Sequence, residues 1–101
     1  MNRRQRRAAA KQGGQATTAD LFHAALRYQN SSRLAEAELL YGQILAVEPS
    51  DARSLHNLGN ILRETGRARE AVTSYERALA VSPNLVATRS NLAYGYVARR
   101  A

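Results

Sequence analysis

The feature that most restricts the fold of this chain is a repeat with a period of thirty-four residues. Residues of the same type recur at this spacing: Leu21 and Leu55, Ala37 and Ala71, Tyr41 and Tyr75, Pro49 and Pro83, and Asn57 and Asn91. Self-similarity at a fixed period of this length is typical of proteins built from stacked units, in which each unit buries its apolar face against its neighbours. We therefore expect the function to lie on a surface rather than in an enclosed pocket.

Each period contains two stretches whose apolar residues follow helical spacing, separated by a short turn. Pro49 and Pro83 end the second stretch of each period, because proline disfavours helical geometry in the residue before it. We predict helices over residues 18–30, 34–47, 51–65, 67–81 and 85–99, with N-caps at Thr17 or Thr18, at Ser50 and at Asn84. The predicted fold class is all-α, a helix-turn-helix repeat solenoid with two full units and one extra helix.

Gly59 lies inside a predicted helix, where glycine costs about 1 kcal/mol relative to alanine. We attribute its presence to a close approach of the partner helix near Ala71. Tyr41 and Tyr75 lie on the apolar stripe of the second helix of each unit, so we expect both rings in the core.

The positive charge of the chain is concentrated at its N-terminus. Of a net charge of +7, five positive residues and no negative ones lie within residues 1–14. We predict that residues 1–16 form a disordered basic tail and that residues 17–101 form the folded domain. The tail has no aromatic residue on which bases could stack, so we do not expect a nucleic-acid partner. The alternative hypothesis is that the tail binds the phosphate backbone of a nucleic acid. In that case, binding would depend steeply on salt, and this dependence would be lost when residues 1–14 are deleted.

Several kinds of chemistry are excluded by residue types. The chain has no cysteine, which excludes disulfides, thiolate metal sites and a cysteine nucleophile. His23 and His56 are its only histidines, and no third ligand or catalytic serine is spaced to join either, so we expect no metal, no cofactor, no catalytic residue and no enzymatic activity. The sequence contains no long apolar stretch and no apolar segment behind the charged N-terminus. We therefore expect no membrane span, no secretory signal and a cytoplasmic location.

The repeated residues resemble the tetratricopeptide repeat, a helix-turn-helix unit of the same length with a fixed apolar signature. The match in residues 52–85 comprises Leu55, Leu58, Gly59, Leu62, Ala71, Tyr75, Ala78 and Pro83. Residues 18–51 depart from the pattern at Ile44, which replaces an alanine, and at Ser32, which replaces the turn glycine. Residues 86–101 supply only part of a unit. The resemblance implies two full tetratricopeptide repeats, 18–51 and 52–85, and a partial third repeat, 86–101.

The resemblance also implies that the first helix of each unit lines a concave surface. The residues it would place there are His23, Leu26, His56, Asn57, Asn60, Arg63, Asn91 and Tyr94. Asn57 and Asn91 resemble the asparagine ladder of the protein O-linked N-acetylglucosamine transferases, in which such side chains hold the backbone of an extended peptide. An amide suits this task because it offers a donor and an acceptor to a main chain of any sequence. We predict a protein-protein interaction module that binds an extended peptide on its concave face.

Two further expectations concern the partners of the chain. It resembles the N-terminal repeat region of larger bacterial enzymes, such as protein O-glycosyltransferases or methyltransferases, in which the repeats would recruit substrate. In addition, the predicted fifth helix lacks a partner helix, which leaves the apolar side of Leu92 and Tyr96 uncovered. Because exposed patches of this kind invite association, we expect self-association through the C-terminal open end.

Overall fold

The computed structural model describes residues 16–85 and 87–93, and these residues form helices joined by short turns. The helices are α1 (Thr18–Asn30), α2 (Leu34–Val47), α3 (Ala52–Glu64) and α4 (Ala68–Val81), followed by a helical segment over residues 87–93. The described part of the chain contains no strand. The all-α prediction is confirmed, with α1 and α2 at the predicted bounds and α3 and α4 within one residue of them.

Some predictions concern residues outside the described part. They are the disordered tail, apart from Ala16, and the portion of the fifth helix that contains Tyr94 and Tyr96. The open C-terminal end, through which we expected self-association, depends in part on the same residues. Of the two side chains named for it, Tyr96 lies outside the described part, whereas Leu92 is half-buried against Leu62, Ala71 and Tyr75. Among the helices that the structure describes, none is both long and apolar enough to cross a membrane.

The first helix begins with two reciprocal hydrogen bonds at its N-terminus. The Asp20 backbone N–H donates to Thr17 Oγ1 at 3.1 Å, and the Thr17 backbone N–H donates to Asp20 Oδ2 at 3.3 Å. This arrangement is a capping box, which satisfies two backbone N–H groups that the helix itself leaves unpaired. Thr17 is therefore confirmed as the N-cap.

The predicted N-cap at Ser50 is wrong by one residue. Asp51 is the N-cap of α3, since its carbonyl accepts the first helical hydrogen bond, from the Leu55 N–H at 3.0 Å. Ser50 lies within a turn closed by the Asp51 N–H and the Glu48 carbonyl at 3.1 Å. The proline-containing turn therefore delays the start of the helix by one residue, to Asp51, and aspartate is as favourable an N-cap as serine.

The prediction for Asn84 is wrong in the same way. One period after Asp51, the Leu85 carbonyl accepts from the Arg89 N–H at 3.1 Å. Asn84 lies in the preceding turn, where the Leu85 N–H donates to the Ser82 carbonyl at 3.3 Å. The same turn thus recurs after each proline.

The core is continuous from the first helix pair into the second. Its first cluster contains the buried residues Phe22, Ala25, Ala37, Tyr41, Ile44 and Ile61, and its second contains Leu62, Ala71 and Tyr75. Ile61 belongs to α3 yet lies in the first cluster, with no exposed area. It therefore packs the second unit onto the first. Tyr41 and Tyr75 are also fully buried, which confirms their predicted place in the core.

Gly59 allows one of these tyrosine rings to lie against the backbone of α3. A Cβ atom at this position would lie 2.5 Å from Tyr75 Cε1 and 2.6 Å from Tyr75 Cδ1. The predicted close approach of the partner helix is therefore present, and the nearest atoms belong to the Tyr75 ring, one helix turn after Ala71. The aromatic ring reaches further from α4 than the alanine we named.

Candidate functional site

The described candidate residues divide between two helices and the segment 87–93. The half-buried residues are Leu26 on α1, His56, Asn57, Asn60 and Arg63 on α3, and Asn91 in the segment. His23 is exposed on α1, and Tyr94 lies outside the described residues. The candidate residues on α3, together with Asn91, form two hydrogen-bonded groups. Leu26 packs against the first core cluster instead.

The first hydrogen-bonded group, which we call the Tyr41 group, comprises Gln29, Tyr41 and Asn57. The Tyr41 hydroxyl donates to Gln29 Oε1 at 2.7 Å and accepts from Asn57 Nδ2 at 3.1 Å. Burial raises the pKa of Tyr41, and the hydrogen bond from Asn57 partly opposes this. The Tyr41 group therefore holds the Asn57 amide of the second unit against the Tyr41 hydroxyl of the first unit.

The second group, which we call the Asn60 network, comprises His56, Asn60, Arg63, Tyr75, Thr88 and Asn91. Asn60 Oδ1 accepts from the Tyr75 hydroxyl at 2.6 Å and from Asn91 Nδ2 at 2.8 Å. Arg63 Nη1 donates to Asn91 Oδ1 at 3.0 Å. Burial raises the pKa of the Tyr75 hydroxyl. The network therefore ties the segment 87–93 to both helices of the second unit.

His56 occupies the middle of the Asn60 network. Its Nε2 lies 3.2 Å from Asn60 Nδ2, and its Nδ1 lies 2.7 Å from Thr88 Oγ1. The imidazole centroid is 6.0 Å from that of the Tyr75 ring. Burial lowers the pKa of His56 below its ordinary value, and the positive charge of Arg63 lowers it further. Both ring nitrogens of His56 thus contact polar partners in a site that favours the neutral imidazole.

His23 is not brought to either hydrogen-bonded group. It lines an open depression of about 450 Å³ on α1, together with Ala16, Ala19, Asp20, Leu21, Ala24 and Arg27. Within residues 16–85 and 87–93, no three His, Cys, Asp or Glu side chains are arranged to hold a metal ion.

The surface near Asn57 also has basic character. The Arg53 guanidinium lies 4.3 Å from the centroid of the Phe22 ring, and its Nε is 4.0 Å from Asp51 Oδ1. Arg53 lies in the first turn of α3, and Arg63 is half-buried in the last turn of the same helix. The stacked Arg53 side chain remains largely exposed, so its charge is accessible from solvent.

Sequence reasoning missed four members of these two groups: Gln29, Tyr41, Tyr75 and Thr88. The tyrosines were assigned to the core for their rings alone. A buried tyrosine hydroxyl usually finds a hydrogen-bond partner, and this requirement was the available signal for both groups. The repeat offered no such signal for Gln29, because the residue one period later is Arg63 and the Tyr75 hydroxyl bonds to Asn60 instead.

Comparison with known proteins gives two overlapping family matches. Residues 59–98 match the family described as TPR repeat, and residues 40–73 match the family described as Tetratricopeptide repeat. The two matches together extend from within α2, through α3 and α4, to beyond the segment 87–93. No curated protein matches the chain.

Proposed function

This chain belongs to the tetratricopeptide repeat family, whose members are generally protein-interaction modules, and we propose on that premise that it binds an extended peptide of a partner protein. The proposed site is the surface formed by α1, α3 and the segment 87–93. Asn57 and Asn91 would hold the peptide backbone. The residues that would select its side chains are His23, Leu26, His56, Asn60, Arg63 and Tyr94.

The observation that best supports this proposal is the state of the Asn57 amide. One Asn57 N–H donates to the buried Tyr41 hydroxyl, which fixes the orientation of the side chain. Within the described residues, the Asn57 Oδ1 accepts no hydrogen bond, and the second amide hydrogen is also uncommitted. An amide fixed in this way can accept from one peptide N–H and donate to one carbonyl. Because the Asn57 side chain is already ordered in the free protein, peptide binding would not lose further side-chain entropy at this residue.

Asn91 is less ready than Asn57 for the same task. Its Nδ2 already donates to Asn60 and its Oδ1 already accepts from Arg63. A peptide would have to use the remaining amide hydrogen and the remaining lone pair. We therefore propose that Asn57 contributes more than Asn91 to peptide affinity. A neutral hydrogen bond contributes about 0.5 to 1.5 kcal/mol net, so the affinity should be on the order of micromolar or weaker.

The positive side chains of α3 favour a peptide with some acidic character. Arg53 and Arg63 both lie on this helix, and Arg53 is largely exposed. A ligand carboxylate near either guanidinium would gain a charge-assisted hydrogen bond. Weakening of binding with added salt is the signature expected of this contribution.

The test is a peptide-library selection followed by affinity measurement on purified variants. We expect Asn57→Ala to weaken binding of the selected peptides by about tenfold and Asn91→Ala by less. The matched control is Asn84→Ala, because Asn84 is an exposed asparagine in the turn that follows α4. Melting curves of each variant establish that it is folded. A folded Asn57→Ala, Asn91→Ala double variant that binds every selected peptide as tightly as the wild type would refute the proposal.

The alternative from the sequence uses the same surface in a longer protein. In that proposal the repeats recruit substrate to a catalytic domain, as in a bacterial O-glycosyltransferase or methyltransferase of the cytoplasm. Reading the open frame beyond Ala101 distinguishes the two. A catalytic domain there would make the selected peptides candidates for its substrates.

A further inference from the structure

The Asn60 network has only one consistent direction of hydrogen bonding. Arg63 has N–H donors and no acceptor, so the atom of Asn91 that faces it at 3.0 Å must be the oxygen. The Asn91 amide nitrogen then faces Asn60, and the atom that receives it at 2.8 Å must be Asn60 Oδ1. Arg63 therefore fixes the orientation of both asparagine amides.

This direction extends to the protons of His56. With its oxygen committed to Asn91 and Tyr75, Asn60 presents its amide nitrogen to His56 Nε2 at 3.2 Å. A donor in this position requires an unprotonated Nε2. The hydrogen of the neutral imidazole must then reside on Nδ1, from which it is donated to Thr88 Oγ1 at 2.7 Å. Arg63 thus determines the tautomer of His56 through two intervening amides.

We propose that docking of the segment 87–93 on the second unit requires His56 to be neutral with its hydrogen on Nδ1, and that protonation of His56 in mild acid releases the segment. A protonated Nε2 would place its N–H against the amide hydrogens of Asn60. Rotating the Asn60 amide by half a turn would place its nitrogen against that of Asn91. Rotating Asn91 in turn would place its nitrogen against Arg63, so amide rotation alone cannot accommodate the extra proton while Arg63 remains in place.

Within the part of the chain that the structure describes, His56 has no negatively charged partner that would stabilise an imidazolium. The groups that contact its ring or act on its charge are Asn60 and Arg63 of α3, the Tyr75 ring of α4, and Thr88 of the segment. Among the described residues, no carboxylate forms a hydrogen bond or ion pair with His56. Thr88 is only 1% exposed, so water cannot replace its bond to His56 while the segment stays docked.

The sign of the pH dependence follows from the direction of the pKa shift. Burial and Arg63 hold the pKa of folded His56 below its ordinary value of 6.5. As the pH falls below 6.5, the released or unfolded form binds a proton that the docked form does not bind. The docking equilibrium should weaken by up to about tenfold per pH unit until the pH reaches the lowered value.

The wild-type chain provides the first test, through imidazole ¹⁵N chemical shifts and backbone amide exchange. We expect the Nδ1–H tautomer for His56 near neutral pH. Between about pH 8 and about pH 5, the intrinsic-rate-corrected protection of amides in residues 89–93 should fall, by at most about tenfold for each pH unit below 6.5, while that of α2 is retained. An Nε2–H tautomer, or protection in residues 89–93 that does not depend on pH, would overturn the proposal.

Two variants that introduce residues of the first unit into the second distinguish the effect of His56 protonation from the effect of altered packing. Phe22 occupies the position one period before His56, with its ring centroid 6.0 Å from that of Tyr41, so His56→Phe retains a ring of known fit. This variant should lose the pH dependence of protection. Arg63→Gln, which copies Gln29, introduces an amide that can also accept, so it should reduce the pH dependence with His56 still present.

The matched control is His23→Gln, because His23 is exposed and lies outside the Asn60 network. It should retain the full pH dependence of the wild type. If His23→Gln abolishes that dependence, or His56→Phe retains it, the proton acts elsewhere and the proposal is wrong. If the segment does not dock at any pH in His56→Phe, the proposal is still tested by two other measurements. These are the tautomer of His56 in the wild type and the pH dependence of amide protection in Arg63→Gln.

Discussion

The two units place a tyrosine at the same point of their second helix and satisfy its hydroxyl in different ways. In the first unit, the Tyr41 hydroxyl bonds both to Gln29 and to Asn57 of the next unit. In the second, the Tyr75 hydroxyl bonds to Asn60 of its own unit. The ring of Tyr41 lies edge-on to Phe22, whereas that of Tyr75 lies beside His56.

The difference arises at three positions of the first helix. One period apart, the first unit has Phe22, Leu26 and Gln29 where the second has His56, Asn60 and Arg63. The rings and helix contacts tolerate these exchanges, because the tyrosine is fully buried in both units. The two units therefore share the shape of their cores and differ in the polarity of the surface above them. The second unit alone has the side chains from which the Asn60 network is built.

The largest expected effect concerns the space opposite each tyrosine. Gly59→Leu should lower the free energy of unfolding by about 3 kcal/mol, since overpacking would displace the Tyr75 ring. Gly59→Ala should also destabilise, although alanine is the better helix former. The matched control is Gly42→Ala in α2, where, among the described residues, no atom outside the adjacent helix backbone lies within 4 Å of the added Cβ.

The control should change stability in the opposite direction. Gly42→Ala is expected to stabilise by up to about 1 kcal/mol, because only helix propensity is altered. Chemical denaturation of the three variants measures both signs. An unchanged unfolding free energy for Gly59→Leu would mean that the Tyr75 ring has another position available.

The sequence predicted the helices well because their signals are local. Apolar spacing and turn residues such as Pro49 indicated the bounds of α1 and α2. The period of the repeat indicated the tetratricopeptide repeat family, which the family matches confirm. Both cap positions were wrong by one residue, because Ser50 and Asn84 each lie within the turn that contains the proline. Cap preference does not distinguish Ser50 from Asp51. Cap preference describes single residues, whereas the length of a turn depends on the hydrogen bond that closes it.

The candidate site was harder to predict, because its hydrogen bonds join residues that are distant in sequence. Asn57 and Asn91 are equivalent in the repeat, and sequence reasoning gave them equal roles. The structure gives Asn57 one bond, to the preceding unit, and Asn91 two, to Asn60 and Arg63. This inequality depends on which side chain the preceding unit has thirty-one residues earlier, Leu26 or Asn60, and on the path of the segment 87–93. Neither is visible in the period alone.

The second prediction compares the two hydroxyls directly. Tyr41→Phe removes two hydrogen bonds and leaves Gln29 and Asn57 without their partner, so we expect a loss of about 1 to 2 kcal/mol. Tyr75→Phe removes one bond from Asn60 Oδ1, which still accepts from Asn91. Its cost should be about 1 kcal/mol or less. Denaturant titration of both variants would contradict this comparison if Tyr75→Phe proved the more damaging.

The smallest expected effect lies in the turns that join the two helices of each unit. Ser32 and Gly66 are one period apart and have φ angles of 61° and 81°, in the left-handed region. The turns close in the same way, with Arg33 N–H donating to the Tyr28 carbonyl and the equivalent bond in the second unit also at 2.8 Å. A serine in this conformation is strained, and a glycine is not.

Exchanging the two turn residues should therefore change stability in opposite directions. Gly66→Ser should destabilise by about 1 kcal/mol, because a side chain enters the left-handed region. Ser32→Gly should stabilise by less than about 1 kcal/mol, since relief of strain is partly offset by the greater freedom of glycine in the unfolded chain. Melting temperatures of the two single variants measure these small differences. Destabilisation by Ser32→Gly would show that the serine side chain stabilises its turn by more than the backbone strain costs, which would make the first turn a feature of its own rather than an imperfect copy of the second.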